Sequence, residues 1–285
     1  MDWTVIFLFW FIYSFLGWIV ETLYCSIRQG SFADRGFLSG PICPIYGVGS
    51  IYVIFLVDPY VKTLGGLFLL SMVTTSILEY ITSYIMEKLF AMRWWDYSER
   101  KFNINGRVCL ENSIYFGILS ILLINWIHPY ISLFVQQISD TNKNYMSIFL
   151  FAIILLDIAY SSNAAIKLNS RFKEIYVLKE EIRDAIGRDN IEEKIEIFLA
   201  HGQRFIEEKH EDWMEFKENI NANINEFKDH VEVDLSTLPL YKKIKELQMG
   251  SKFSERRILR AFPKLKSLKY NDVLEELKRN IKNKF

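Results

Sequence analysis

Charged side chains are scarce in the first 166 residues of this 285-residue chain. That part holds 9 of the 34 Lys and Arg residues and 11 of the 34 Asp and Glu residues, although it makes up more than half of the length. The chain therefore consists of two chemically different parts, and its length alone does not indicate the number of domains.

Motifs for metal binding and nucleotide hydrolysis are also absent. The candidate metal ligands are few and none has the spacing of a metal site: Cys25, Cys43, Cys109, His128, His201, His210 and His230. The pattern G-x-x-x-x-G-K-[ST] does not occur, which excludes ATP hydrolysis by a P-loop within this sequence. H-E-x-x-H and G-x-S-x-G are missing as well. We therefore expect free reduced thiols, no metal, no cofactor and no catalytic residues, although the sequence leaves open whether the chain is an enzyme.

Long apolar runs occupy the charge-poor part. A bilayer core about 30 Å thick needs roughly 20 apolar residues in a helix. Such runs cover residues 3–27, 42–57, 64–88, 112–135 and 146–168, of which the second is short and begins with Gly and Pro. We predict an all-α fold, with a polytopic membrane bundle of about five transmembrane helices in residues 1–168 and a charged, helical cytoplasmic region in residues 169–285. The opening Met1-Asp2-Trp3 has no positive charge, so we expect no cleavable signal peptide.

The Lys and Arg residues between the apolar runs indicate an orientation. Thirteen lie in the stretches 25–40, 88–111 and 167–188, whereas only Lys62 and Lys143 lie in the alternate loops. Cytoplasmic loops of membrane proteins have the excess of positive charge. The distribution predicts a multi-pass protein of the cell membrane, with its N-terminus outside and its C-terminus in the cytoplasm.

Three acidic residues interrupt the apolar runs. Glu21, Glu79 and Asp157 all lie on helices predicted to run from outside to inside, so they can share one inward-facing polar region. Ionisable groups inside a membrane are costly and indicate a functional site by default. On the third run the polar residues recur every four positions, which places them on one helix face: Ser71, Thr75, Glu79, Ser83 and Glu87. We predict a substrate or ion pathway along this face. The alternative is a set of hydrogen bonds that hold the helices together, and Glu87, near the interface, could simply be solvated.

The loop after the first run is rich in Gly and Pro. These residues forbid a regular helix start, because five of them fall within twelve positions: Gly36, Gly40, Pro41, Pro44 and Gly47. Short helices with irregular ends often line binding sites, since their free backbone groups need partners other than lipid. We predict that Arg35 reaches Glu21 or Glu79. The alternative is a re-entrant elbow that binds no ligand.

The loop after the third run combines aromatic and charged residues. Trp95 and Tyr97 suit the headgroup layer of a bilayer. Asn105-Gly106 lies between two short alternating segments and predicts a two-residue hairpin turn. Such a hairpin would hold Asp96 and Arg107 near the cytoplasmic mouth of the bundle, so both are pathway candidates. The alternative is that the aromatic residues form only an interfacial belt.

Three segments of these loops resemble a known family. RGFLSGPICPIYG, WWDYS and NINGRVCLENS are similar to the CmpB-like family of type IV ABC-transporter permeases, and the resemblance covers most of residues 1–165. It implies a transport function without naming a substrate. The matching motif positions, to which no specific role is attached, are Glu21, Arg35, Gly36, Gly40, Pro41, Pro44, Tyr46, Gly47, Glu79, Trp95, Asp96, Tyr97, Gly106 and Arg107.

The last part of the chain is uneven in charge. Residues 189–234 have a net charge of −9 and residues 238–285 a net charge of +9. We predict a long amphipathic helix or a helix pair over 191–233 and shorter helices near 240–248, 254–262 and 271–283. The basic segment could bind anionic lipid, and we favour its folding back on the acidic helix.

Three functions are compatible with these patterns. The first is a transporter subunit, in which Glu21 and Glu79 bind a cationic group or a proton and the loops contact a separate ATPase. The second is an intramembrane lipid-processing enzyme that uses the buried carboxylates. The third is a sensor or scaffold that acts through its cytoplasmic tail. We expect the lipid bilayer as a partner and no nucleic acid, and association between copies of the chain stays open.

Overall fold

The computed structural model describes residues 2–30, 32–187 and 253–282, and most of them are helical. The helices are α1 (Trp3–Gln29), α2 (Pro44–Tyr52), α3 (Leu64–Phe90), α4 (Leu110–Leu122), α5 (His128–Gln137), α6 (Asp140–Gly187), α7 (Phe253–Ala261) and α8 (Asn271–Lys282). Four two-residue strands accompany them: β1 (Met92–Arg93), β2 (Asn103–Ile104), β3 (Val108–Cys109) and β4 (Lys266–Ser267). The helices predicted over 191–233 and near 240–248 lie outside the described residues.

The chain forms two compact units. The first consists of residues 1–169 and 252–271, and the second of residues 170–251 and 272–285. Within the second unit, the described apolar side chains that are fully buried are Phe172, Ile175, Leu178, Val273 and Leu274. All the contacts described below lie within the first unit.

Within the described ranges, four helical stretches are long and apolar enough to cross a membrane. They are Trp3–Arg28, Leu64–Phe90, Leu110–Gln137 and Asp140–Glu180. The third comprises α4 and α5, joined by a π-helical turn over Leu123–Ile127. Much of their apolar surface is exposed, as on α3, where one face presents Leu69, Val73, Ile77 and Ile81. Exposed apolar surface of this extent suits lipid and does not suit water, so the protein is a helical membrane protein.

The second predicted span, residues 42–57, is not a long helix. α2 begins at Pro44, whose fixed φ suits the first position of a helix. It continues as a π-helical turn and a 3-10 turn, so that the whole apolar helix is only Pro44–Tyr60. The described residues therefore contain four helices long enough to span a membrane and one shorter apolar helix, where the sequence predicted about five spans.

α2 packs very closely against α1 through two glycines. A Cβ atom on Gly47 would lie 2.1 Å from Ser14 Oγ and 2.5 Å from the carbonyl oxygen of Trp10. A Cβ atom on Gly17 would lie 2.2 Å from the Cβ of Tyr46. Small residues let helix backbones approach within a membrane in this way. The close approach fixes the start of α2 beside the middle of α1.

Two irregular loops join these helices, and both contain the motif residues. Loop 1 (residues 32–43) connects α1 to α2, and loop 2 (residues 91–109) connects α3 to α4. In loop 2, β2 and β3 pair as an antiparallel hairpin. β1 pairs with β4, with Met92 opposite Ser267. Residues 253–270, which the sequence analysis places in the predicted cytoplasmic region, are thus part of the first unit.

Candidate functional site

The polar face of α3 is turned away from the lipid-exposed face. Ser71, Glu79, Ser83 and Glu87 are all buried. They lie opposite the exposed apolar residues of the same helix, as expected for residues spaced by four. Burial of two carboxyl groups on one helix requires partners from other elements, because an unpaired charge is costly to remove from water.

A cavity of about 120 Å³ lies beside this face, between α1, α2, α3 and α4. Most of its wall is apolar, and it includes Leu16, Val20 and Phe116. The polar side chains that line it are Tyr13, Tyr46, Ser50, Thr75, Glu79 and Ser120. Glu79 is the one carboxyl group of this wall, so any charge that a ligand meets here comes from that residue.

Glu79 has a partner at only one of its two carboxyl oxygens. Tyr97 donates its hydroxyl proton to Glu79 Oε1 at 3.4 Å, and Asn112 Nδ2 donates to the Tyr97 hydroxyl at 2.6 Å. Burial, followed by the negative charges of Glu79 and Glu21, raises the pKa of Tyr97, so the phenol keeps its proton. Glu79 Oε2 is buried and has no hydrogen-bond partner among the described residues. This orphaned oxygen needs either its own proton or a cation.

Glu21 lies at the end of α1 that faces loop 1, and its carboxylate is well supplied with partners. Arg35 Nη2 donates to Oε1 at 3.3 Å, and the Tyr46 hydroxyl donates to Oε2 at 2.6 Å. Arg35 also donates to the carbonyl oxygen of Ala261 and lies 5.7 Å from the ring centre of Phe262. Of the two partners that the sequence allowed for Arg35, the structure selects Glu21.

Asp157 contacts loop 1 and does not line the cavity. Its Oδ1 accepts the backbone N–H of Ser39 at 2.8 Å, and its Oδ2 accepts that of Gly40 at 2.7 Å. Ser161, one turn along α6, donates to Asp157 Oδ1 at 3.0 Å. A Cβ atom on Gly40 would lie 3.1 Å from Asp157 Oδ2, so the glycine leaves room for this approach. The carboxylate replaces the helical partners that an irregular backbone lacks.

Arg257, on α7, satisfies the carbonyl side of the same loop. Its Nη1 donates to the carbonyl oxygen of Leu38 at 2.8 Å and to that of Gly36 at 3.3 Å, and its Nη2 donates to that of Phe37 at 2.7 Å. Gly36 has φ +119°, a conformation that favours glycine. The planar guanidinium fork suits several acceptors at once. Loop 1 is therefore held between a carboxylate and a guanidinium.

In loop 2 the predicted turn is present, with one extra residue. Asn105 and Gly106 both have positive φ, as a type I′ turn requires, and Arg107 N donates to the carbonyl oxygen of Ile104 at 3.0 Å. The strand ladder resumes only at Val108, which pairs with Ile104, so Arg107 lies outside the ladder. Its Nη2 reaches Glu87 Oε1 at 2.8 Å.

Glu87 joins two of the arginines of loop 2, Arg93 and Arg107. Arg93 Nε donates to Glu87 Oε2 at 3.1 Å, opposite the contact from Arg107. The Arg107 guanidinium also lies over the rings of Tyr80 and Tyr84. Glu87 is 9% exposed, so the expectation that it could simply be solvated is wrong.

Asp96 and the last strand form a further contact. Lys266 Nζ binds Asp96 Oδ2, and Ser98 N donates to Oδ1 at 3.0 Å. Burial favours the neutral carboxyl, but the hydrogen bonds from Lys266 and Ser98 outweigh it and lower the pKa of Asp96 to about 2. A Cβ atom on Gly106 would lie 2.5 Å from Asp96 Oδ1, which together with its positive φ requires a glycine.

The predicted residues thus separate into two groups. Glu79 and Tyr46 line the cavity, and Glu21 binds Tyr46 directly behind it. Arg35 ties Glu21 to α7. The others lie in the loops or next to them. Asp96, Arg107 and Asp157 make their contacts through their side chains, and Trp95 Nε1 donates to the carbonyl oxygen of Arg107. The close contacts or positive φ belong to Gly36, Gly40, Gly47 and Gly106, while Pro41 lies in loop 1 and Pro44 begins α2.

Sequence reasoning missed three residues of these contacts: Asn112, Arg257 and Lys266. Arg257 and Lys266 lie in the basic stretch 238–285, where sequence alone does not distinguish them from solvated charges. Glu87 was detectable, because it continues the four-residue spacing of the buried α3 face.

Comparison with known proteins identifies a family for this chain but no individual relative. Neither a curated protein nor a solved structure matches the chain. Residues 8–162 match the family model described as "Putative ABC-transporter type IV". That match includes most of α1, all of α2 to α5, both loops and Asp157 of α6. Because it covers more than half of the 285 residues, the chain belongs to this family.

Proposed function

We propose that the chain is the membrane-spanning subunit of an ABC-type transporter whose ATP hydrolysis is performed by a separate subunit. The observation that supports this most is the cavity between α1, α2, α3 and α4, with the orphaned Glu79 oxygen in its wall. Membrane transporters bind their substrates in sites between helices near the middle of the bilayer. The family description and the lack of a P-loop in the sequence agree with a subunit that needs an ATPase partner.

The proposal includes an orientation, with the N-terminus outside and the C-terminus in the cytoplasm. The excess of Lys and Arg in the stretches 25–40, 88–111 and 167–188 supports it. Loop 1 and α2 together then make the second crossing. Cys43 N donates to the carbonyl oxygen of Ser14 at 2.9 Å, and Ser14 lies about 21 Å along α1 from Arg28. The extended loop covers one half of the bilayer and Pro44–Tyr60 covers the other.

The proposed contact with the ATPase is on the cytoplasmic side. Loop 1, loop 2 and residues 253–270 are joined there by the contacts of Arg35, Arg257 and Lys266. This assembly exposes several basic side chains: Arg256, Arg260, Lys264 and Lys269. We propose that this basic face docks the ATPase subunit.

Purification from the native cell in a gentle detergent, followed by mass spectrometry, tests the proposal. We expect an ABC-type ATPase at a stoichiometric level. Replacing Lys264 and Lys269 with Glu should reduce its recovery severalfold, since like charges across an interface are costly. Lys62→Glu, in the loop proposed to lie outside, is the matched control. Reproducible absence of any ATPase with the unaltered chain would overturn the proposal.

A further inference from the structure

The cavity beside α3 has the chemistry of a site for a small organic cation. We propose that it binds a primary alkylammonium ion of about five non-hydrogen atoms, with the ammonium group against Glu79 Oε2 and the alkyl chain against Leu16, Val20 and Phe116. This inference deepens the proposed transport function by naming a ligand class, and it concerns binding to this chain alone.

The hydrogen-bond directions in the wall favour a ligand that donates. The Tyr46 hydroxyl donates to Glu21 at 2.6 Å, Thr75 Oγ1 donates to the carbonyl oxygen of Ser71 at 2.6 Å, and Ser120 Oγ donates to that of Phe116 at 2.8 Å. Each hydroxyl has therefore used its single proton on a protein acceptor and retains only lone pairs. The ionised Glu79 carboxylate and these three hydroxyl oxygens can accept hydrogen bonds but cannot donate them. This part of the wall suits an N–H cation.

The position of Glu79 Oε2 gives the ammonium group its partner. Asn112 donates to the Tyr97 hydroxyl, which in turn donates to Glu79 Oε1. This series of hydrogen bonds ends at Oε1 and does not reach Oε2. Oε2 is buried without a partner among the described residues, and Glu79 itself is 5% exposed and lines the cavity. A hydrogen bond to a charged group contributes about twice as much as a neutral one. A bound ammonium would satisfy the orphaned oxygen directly.

The apolar wall and the size of the cavity select against a metal ion. A hard cation such as Ca²⁺ takes six or more oxygen ligands, and the described residues contain no cluster of three His, Cys, Asp or Glu side chains that could hold a metal.

The size of the cavity suits a small organic ligand. Its volume of about 120 Å³ is somewhat smaller than the cavity of about 150 Å³ that binds benzene in an engineered protein. The rings of Tyr46 and Phe116, 6.1 Å apart, can also contact a cation through their faces.

Binding of n-alkylammonium chlorides, from methyl to hexyl, to the purified full-length protein in detergent tests the proposal by isothermal titration calorimetry. We expect the affinity to be highest near propyl and butyl and to fall at hexyl. Sodium chloride and n-butanol, which supply only the charge or only the chain, should bind at least tenfold more weakly than butylammonium.

Two variants locate the site. Glu79→Gln should weaken butylammonium binding by roughly tenfold or more, whereas Glu111→Gln, a half-exposed carboxylate on α4, should leave it unchanged. Ser120→Leu should abolish butylammonium binding, because the larger side chain fills the cavity while Glu79 is unchanged. This variant tests the site even if Glu79→Gln does not fold. Equal binding to Ser120→Leu, equal affinity for butanol, or no binding of any ammonium ion would overturn the inference. The ATPase experiment can fail without affecting these measurements, so the two proposals are tested separately.

Discussion

Asp157 and Arg257 show how single side chains satisfy an irregular backbone. Loop 1 has N–H groups that bind the Asp157 carboxylate and carbonyl groups that bind the Arg257 guanidinium. A buried backbone group without a hydrogen-bond partner is costly. These contacts therefore give Asp157, an acidic residue of a candidate membrane span, a structural role.

We expect Asp157→Asn to destabilise the protein. Asparagine offers one acceptor oxygen and one amide NH₂ group, so a donor would face the backbone N–H of either Ser39 or Gly40. One such mismatch costs about 1–3 kcal/mol. The thermal unfolding temperature in detergent should fall by several degrees, as measured by loss of the monodisperse peak in size-exclusion chromatography.

Asp140→Asn is the matched control, because Asp140 lies on the same helix and its side chain is 89% exposed. Because the Asp140 carboxylate stays in water, losing its pair with the largely buried Lys143 should destabilise the protein less than the mismatch at Asp157 does. If both variants unfold at the same temperature as the unaltered protein, Asp157 does not hold loop 1.

At the scale of elements, β1 and β4 join parts of the chain that are distant in sequence. Met92 pairs with Ser267 and Arg93 with Lys266. Trp94, which is 2% exposed, packs between Phe37 and Phe262, with ring centres 5.0 Å away in each case. The two loops and the segment 253–270 therefore form one continuous packed element.

A disulfide should form between these strands when Met92 and Ser267 are both replaced with cysteine. Directly paired antiparallel residues have Cα atoms about 4.5–5.5 Å apart, within the range that a disulfide spans. We expect mild oxidation of membranes to give nearly complete cross-linking, detected by loss of maleimide labelling after denaturation.

The pair Tyr60→Cys and Ser267→Cys serves as the control, since Tyr60 lies at the far end of the short apolar helix. It should not cross-link within one chain. Equal cross-linking of the two pairs would show that β4 does not rest beside β1.

The whole molecule is predicted to cross the bilayer five times, although only four of its described helices are long enough. We expect a cysteine introduced at Lys62 to react with a membrane-impermeant thiol reagent in intact cells, and one introduced at Lys101 to react only after permeabilisation. The native cysteines Cys25, Cys43 and Cys109 are buried, so background labelling should be low. Labelling of Lys101→Cys but not of Lys62→Cys in intact cells would show that the orientation is the reverse of the proposed one. Labelling of both sites in intact cells would contradict the proposed crossings.

Periodicity and the apolar runs made much of this structure predictable. Four of the runs are long helices, and the polar spacing on α3 identified its buried face. These two features were predictable because each depends only on local sequence. The extent of α2 was not predictable from hydropathy, because residues 42 and 43 are apolar but extended. The roles of Asp157 and Asp96 depend on partners more than 100 residues away, and neither a pattern nor a spacing indicates such partners.

The dependence of loop 1 on Arg257 imposes an order on the synthesis of the protein. Arg257 lies 219 to 221 residues downstream of the carbonyl groups that it binds. At about 5–20 residues per second, a ribosome needs roughly ten to forty seconds to make that stretch. During this interval loop 1 has no internal donor for those carbonyl oxygens, so it must stay hydrated or sheltered by the insertion machinery. The membrane domain, although most of it emerges first, is completed only when nearly the whole chain has been translated.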